Sequence, residues 1–167
     1  PYMIPLAGGN TIISGRYGDL IDGMGSALEK VGPDGQQLST IFARSEFQYD
    51  QVGALQACDL TPDGHLLFVQ VENVQPFSFF NPGVPARVRV LKMDAALNVL
   101  CERVMDGFAD DQHHLVTRIK STSDGGYLLM GFQAIPGVNS NADLWAEKFP
   151  ALDCDVQVQD SMGSIRP

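Results

Sequence analysis

The apolar residues of this chain fall in short runs bounded by glycine, proline, asparagine or aspartate, and only a weak stretch at 107–116 follows a helical period. Two of these runs, 65–72 (HLLFVQVE) and 127–132 (YLLMGF), carry apolar side chains at consecutive positions. Because successive side chains of a strand point to opposite faces, such strands present apolar groups on both faces. The pattern predicts strands that are covered on both sides.

The pattern occurs three times. Each copy has a turn followed by an apolar run, at 7–15 (AGGNTIISG), 61–71 (TPDGHLLFVQV) and 122–132 (TSDGGYLLMGF). The reference glycines, Gly9, Gly64 and Gly125, are 55 and 61 residues apart (64 − 9 and 125 − 64). A repeat of this length is typical of proteins built from stacked supersecondary units.

Each copy also has a lysine in a second apolar segment, and these lysines are Lys30, Lys92 and Lys148. In all three copies the residue after the lysine and the residue two before it are apolar. The strand is therefore apolar on both faces. We expect the lysine stem to lie along this surface with its ammonium group in water.

Turn residues divide each copy into four antiparallel strands. Asp63 with Gly64, and Asp124 with Gly125 and Gly126, suit tight hairpin turns. The predicted fold class is all-β, with antiparallel four-stranded blades forming a β-propeller or a partial propeller of about three blades. A sandwich of about twelve strands is the alternative, although its strands should alternate more cleanly between core and solvent.

We expect a single propeller-like domain over 1–167. Its blades are predicted at about 1–47, 52–106 and 111–161, and the last strand of the third blade at 155–161. The start at Pro1, without an initiator methionine, predicts a mature or trimmed product.

The third copy carries the clearest motif. Its segments IKSTSDGGYLLMGF and NADLWAEKF contain Thr122, Asp124, Gly125, Gly126, Tyr127, Gly131, Asp143, Trp145 and Lys148. This pattern resembles the repeat of secreted and cell-surface bacterial propeller proteins, many of which, in the Bacteroidetes group, are exported by the type IX route. The other copies depart from it, since His65 replaces the second glycine and the turn at 7–10 lacks the aspartate. The resemblance implies a non-catalytic scaffold or adhesive module outside the bacterial cell or at its surface.

Charge excludes some partners. The chain has 11 basic and 20 acidic residues, a net charge of −9, which repels phosphate backbones and anionic membranes. Arg87 and Arg89 come closest to a basic patch, and we expect them on the solvent-facing half of an alternating strand. Because of the net charge, we predict no nucleic-acid binding. No window approaches 18 consecutive apolar residues, so we also predict no membrane insertion.

The three cysteines, Cys58, Cys101 and Cys154, lie far apart and lack the spacing of a zinc site or a thioredoxin motif. Two alternatives stay open. The cysteines are either simply buried, or one disulfide forms, with Cys101 to Cys154 as one possible pair.

Candidate chemistry is sparse. The segment 106–115 (DGFADDQHHL) has metal-ligand composition, but we expect a connection with solvated acids and predict no metal or cofactor. The spacing Thr122-x-Asp124-x-Gly126 also resembles the Asp-box of sialidase-type propellers, where it likewise forms a turn. No catalytic residue is predicted. The alternative to a structural or adhesive module is a receptor-like ligand-binding propeller, and a carbohydrate-active hydrolase is less favoured than either.

The connection at 71–86 is long and carries three phenylalanines, Phe77, Phe79 and Phe80, so it is a possible interaction loop. Three blades do not close a ring, since propellers have four to eight. Both terminal blades should then expose apolar faces. We expect self-association into a homo-oligomer or fibre, or further blades of a larger protein, to cover them.

Overall fold

The computed structural model describes residues 2–19, 23–43, 51–52, 56–72, 87–106, 113–134 and 142–154. These residues form β-strands, with one short 3-10 turn at Ala7–Gly9 and no α-helix among them. The strands are β1 Tyr2–Pro5, β2 Thr11–Asp19, β3 Gly23–Val31, β4 Gln37–Ala43, β5 Gln51–Val52, β6 Cys58–Leu60, β7 Leu66–Glu72, β8 Arg87–Met93, β9 Val99–Asp106, β10 His113–Ser121, β11 Tyr127–Ala134 and β12 Ala142–Phe149. The all-β prediction is confirmed.

The strands form three antiparallel sheets in chain order. The first sheet is β1-β2-β3-β4 and the third is β10-β11-β12. In the second sheet β7, β8 and β9 follow one another, and both β5 and β6 pair with β7. The strand predicted at 155–161 lies outside the described residues.

Four hairpins share one turn geometry. In each, the N–H of the first loop residue donates to the carbonyl of the fifth, and the N–H of the fourth donates to the carbonyl of the first. The fourth residue has a positive φ, and these residues are Gly35 (83°), Gly64 (82°), Leu97 (71°) and Gly125 (82°). This is a type I turn followed by a left-handed residue, which explains why the repeated Asp-Gly pair falls there.

The second sheet is packed on both faces. All seven residues of β7 are buried, and their side chains alternate between two cores. Leu66 and Phe68 belong to a core with Ile12 and Leu28 of the first sheet. Leu67, Val69 and Val71 belong to another core, which the third sheet completes with Val116, Ile119, Tyr127 and Leu129. The three sheets are thus stacked in series, whereas a sandwich has a single two-layer core.

The strand register is the same in all three sheets. Each repeat lysine pairs with the residue three positions after the reference glycine, as Lys30 with Ile12, Lys92 with Leu67 and Lys148 with Leu128. Side chains can therefore be compared position by position. We call the face of a sheet that points toward the next sheet in chain order its leading face, and the opposite face its trailing face.

A disulfide and a backbone bridge join the second and third sheets. Cys101 of β9 is bonded to Cys154, which follows β12, and Cys58 is free and buried. The Gln56 N–H donates to the Thr117 carbonyl at 3.1 Å, and the Ile119 N–H donates to the Gln56 carbonyl at 3.0 Å. Of the two alternatives for the cysteines, the structure has the Cys101–Cys154 disulfide.

Candidate interaction surfaces

The repeat lysines fasten the hairpin turns. Lys92 Nζ lies 3.2 Å from Asp63 Oδ2, and Lys148 Nζ lies 2.5 Å from Asp124 Oδ2. In each turn a threonine hydroxyl, of Thr61 or of Thr122, donates to the same aspartate. Asp124, which lies in the Asp-box-like segment, and Asp63 are therefore both engaged in holding hairpins together.

These contacts lower the pKa values of both turn aspartates. For Asp63 the hydrogen bond from Thr61 is the main cause, followed by those from His65 and Lys92. For Asp124 the bond from Lys148 comes first and that from Thr122 second. Both carboxylates stay ionised under mildly acidic conditions.

The first sheet lacks the turn aspartate, and its lysine has a different partner. Lys30 Nζ donates to the Ala95 carbonyl of the second sheet at 2.7 Å. The same strand position thus supplies a bond within the sheet in the second and third copies and a bond between sheets in the first copy.

A buried ion cluster lies at the end of the second sheet away from the turns. Glu72 is fully buried, and its carboxylate accepts from Arg87 Nε and Arg89 Nε, both at 2.5 Å. Arg89 also contacts Glu102, and although burial opposes it, these carboxylates raise the pKa of Arg89. The expectation that Arg87 and Arg89 face solvent is wrong, because only 21% and 24% of their side chains are exposed.

The leading face of the third sheet is apolar, and none of the residues that the structure describes covers it. Leu144 is 83% exposed and Phe132 is 41% exposed, and they pair across β11 and β12. A groove of about 380 Å³ lies on this face, lined in part by Arg118, Met130 and Ala146.

The trailing face of the first sheet is also apolar. Met3 and Phe42 are each 63% exposed there, opposite Ile13 and Ala27 respectively. Tyr17 packs edge-on against Phe42, with ring centroids 4.9 Å apart. The two ends of the stack therefore carry the exposed apolar faces that were expected of terminal blades.

Several other positions singled out in the sequence lie outside the described residues or in the interior. Phe77, Phe79 and Phe80 lie outside the described residues, as do Asp110 and Asp111. His114 is buried against Trp145, with ring centroids 4.7 Å apart. Within the described ranges no three His, Cys, Asp or Glu side chains are placed to share a metal ion. The same ranges contain no helix long and apolar enough to cross a bilayer.

Sequence reasoning missed the Glu72 cluster. The signal was available, because antiparallel pairing of β7 with β8 places Glu72 opposite Arg87 and Gln70 opposite Arg89. Opposite charges on facing strand positions stabilise a pair. What the sequence did not supply was the register across the long connection between the two strands.

Comparisons with known proteins add little to this description. No family model matches the chain, and no curated protein matches it. A crystal structure of a protein of unknown function from Bacteroides caccae superposes with a TM-score of 0.48 at 14% identity, over 90% of this chain and 45% of that chain. The chain thus spans less than half the length of that protein.

Proposed function

We propose that the chain is a three-blade section of a β-propeller that acts as a non-catalytic structural or adhesive module. The observation that carries this proposal is the serial packing of three sheets in one register, with the middle sheet covered on both faces. Propeller blades pack in this way, and a ring needs four to eight of them. Further sheets therefore complete the ring.

The end faces and the turn acids favour interaction over catalysis. Large apolar side chains, among them Phe42 and Leu144, are exposed at the two ends of the stack, and patches of this kind mark association sites. Asp63 and Asp124 are held by lysines in hairpin turns, which is a structural use of these acids. The module works through self-association or partner binding at its faces and loops.

The Cys101–Cys154 disulfide supports a location outside the bacterial cytoplasm, since disulfides persist in oxidising compartments. The motif at 119–149 supports the same placement through its resemblance to secreted and cell-surface propeller repeats. We propose an extracellular or surface-attached protein of the kind exported by Bacteroidetes.

One experiment tests both parts of the proposal. Beads carrying the disulfide-intact protein are scored for adhesion to bacterial cells and to glycoproteins, while a glycan and peptide panel incubated with the same protein is analysed by mass spectrometry. Beads with reduced and alkylated chain are the control. We expect adhesion above the control and unchanged panel masses. Product release would show an enzyme, and adhesion equal to the control would exclude an adhesive module.

A further inference from the structure

We propose that the leading face of the third sheet binds the trailing face of the first sheet of a second copy of this chain. The inference rests on the proposed function, because it names the partner of the exposed end faces. It follows from comparing each uncovered face with the two sheet–sheet joints already present inside the chain, and from the presence of both uncovered faces on one chain.

The first comparison concerns the leading faces. At the positions of Val69, Val71, Val88 and Val90 in the second sheet, the third sheet has Met130, Phe132, Leu144 and Ala146. The four valines are 0% exposed because the third sheet covers them. The residues that replace them are also apolar. The same docking surface therefore continues onto the third sheet, where the chain supplies nothing to cover it within the described residues.

The second comparison concerns the trailing faces, which differ in chemistry. Where the second sheet has Gln70 opposite Arg89 and Glu72 opposite Arg87, the first sheet has Gly15 opposite Ala27 and Tyr17 opposite Gly25. A charged trailing face cannot cover apolar Met130, Phe132 and Leu144 without leaving its charges desolvated. At these two pairs the first sheet's trailing face is uncharged, so it can cover apolar residues of a facing sheet.

The first sheet's trailing face also has open space at a glycine. Gly15 lies six residues after the reference glycine of its copy, opposite Ala27. A Cβ built on Gly15 meets no atom within 4 Å, so the surface there is open. The space can receive a bulky side chain such as Phe132 from the facing sheet.

The presence of both end faces on one chain favours a second copy over an unrelated partner. One chain carries both halves of the missing joint, and this joint is heterologous, so copies join head to tail. Two copies give six sheets, which is within the four to eight of a closed propeller. Charge agrees as well, since Arg118 lines the leading groove and Glu29 lies on the trailing face opposite Ile13.

The test is the mass of the protein in solution, measured by light scattering after size exclusion over a dilution series. We expect at least twice the chain mass of 18.1 kDa. Leu144→Glu and Gly15→Arg act on opposite faces, and each should weaken association about tenfold or more, because each places a charge in an apolar joint. Val99→Glu is the matched control, since Val99 is 46% exposed on edge strand β9, outside both end faces.

Covalent capture identifies the faces. Met130 and Ile13 occupy the positions of Val69 and Leu129, which lie in one core within the chain. Chains with Met130→Cys and chains with Ile13→Cys, when mixed under oxidation, should form a linked pair that neither variant forms alone. A monomer at every concentration, or an oligomer unaffected by both face variants, would overturn the second-copy inference. Either result leaves the adhesion and turnover assay to decide the proposed function separately.

Discussion

Lys148 of β12 donates to the carboxylate of Asp124 across 2.5 Å, and Lys92 of β8 makes the equivalent contact with Asp63 at 3.2 Å. In both sheets the lysine lies on the strand that pairs with the strand leaving the turn. The contact therefore ties the turn of one hairpin to the following strand. It explains why the Asp-Gly turn and the later lysine occur together in the second and third copies.

These contacts predict a specific acid sensitivity. The pKa values of Asp63 and Asp124 are lower in the folded chain than their usual unfolded value, so the carboxylates contribute stability above about pH 4 that is lost as the pH falls below it. We expect the fall in melting temperature between pH 7 and pH 3 to be smaller in the double variant Asp63→Asn, Asp124→Asn than in the natural chain. Glu147→Gln, which alters an exposed strand carboxylate outside the turns, is the control. An equal fall in both proteins would contradict the prediction.

The conformation of Leu97 predicts that its substitution by alanine destabilises the fold more than its substitution by glycine. It has φ 71° where the other three hairpins of this type have glycine, yet its side chain is buried in the core between the first and second sheets. Leu97→Ala loses packing and keeps the left-handed strain, so it should cost about 2–4 kcal/mol. Leu97→Gly loses the same packing but relieves roughly 1 kcal/mol of strain.

Urea unfolding of both Leu97 variants measures this order. Gly64→Ala is the companion variant, since it adds a side chain at φ 82° and should cost about 1 kcal/mol. If Leu97→Gly is less stable than Leu97→Ala, the left-handed conformation of Leu97 carries no strain and the explanation is wrong.

The buried Glu72 and the half-exposed Glu102 both contact Arg89, which allows a matched test of burial. Removing Glu72 takes a fully buried carboxylate away from two partly buried arginines, so Glu72→Ala should destabilise the fold by about 3 kcal/mol. The side chain of Glu102 is 41% exposed, and Glu102→Ala should cost less than about 1 kcal/mol. Denaturant midpoints give both values. Similar losses would show that burial does not set the strength of this cluster.

The Cys101–Cys154 disulfide closes a span of 53 residues between the second and third sheets. Such cross-links stabilise folded proteins by about 2–4 kcal/mol, mainly by restricting the unfolded chain. We expect the double variant Cys101→Ser, Cys154→Ser to unfold at a lower temperature than the natural chain. Amide exchange should rise mainly in the third sheet, where Leu152 joins the core. A reductant that leaves the melting temperature of the natural chain unchanged would contradict this.

The hairpin turns were predictable because they depend on local chemistry. Asp-Gly pairs mark turns, and Gly64 and Gly125 both have the positive φ that this turn requires. The run at 65–72 was predicted to be buried on both faces, and β7 is buried throughout. Such features need no knowledge of distant contacts.

Contacts between residues far apart in the chain were less predictable. Arg87 and Arg89 have an ordinary alternating pattern, and only the facing Glu72 shows that they are partly buried in an ion cluster. The partner of Cys101 was one of several possibilities until the third sheet was placed against the second. Lys30 likewise lacks a local acid, and its bond to Ala95 becomes visible only in the stacked arrangement.

Cys58 should be unreactive in the folded protein. Burial is the main cause that raises the pKa of its thiol to about 12, with Asp59 contributing and a hydrogen bond with Ser14 opposing, so almost no thiolate forms at neutral pH. We expect a thiol reagent at pH 8 to label no cysteine in the native chain and one in the unfolded, unreduced chain. Reduction should raise this to three, the total in the sequence. Labelling of one thiol in the native state would place Cys58 at the surface, and labelling of three without reductant would exclude the disulfide.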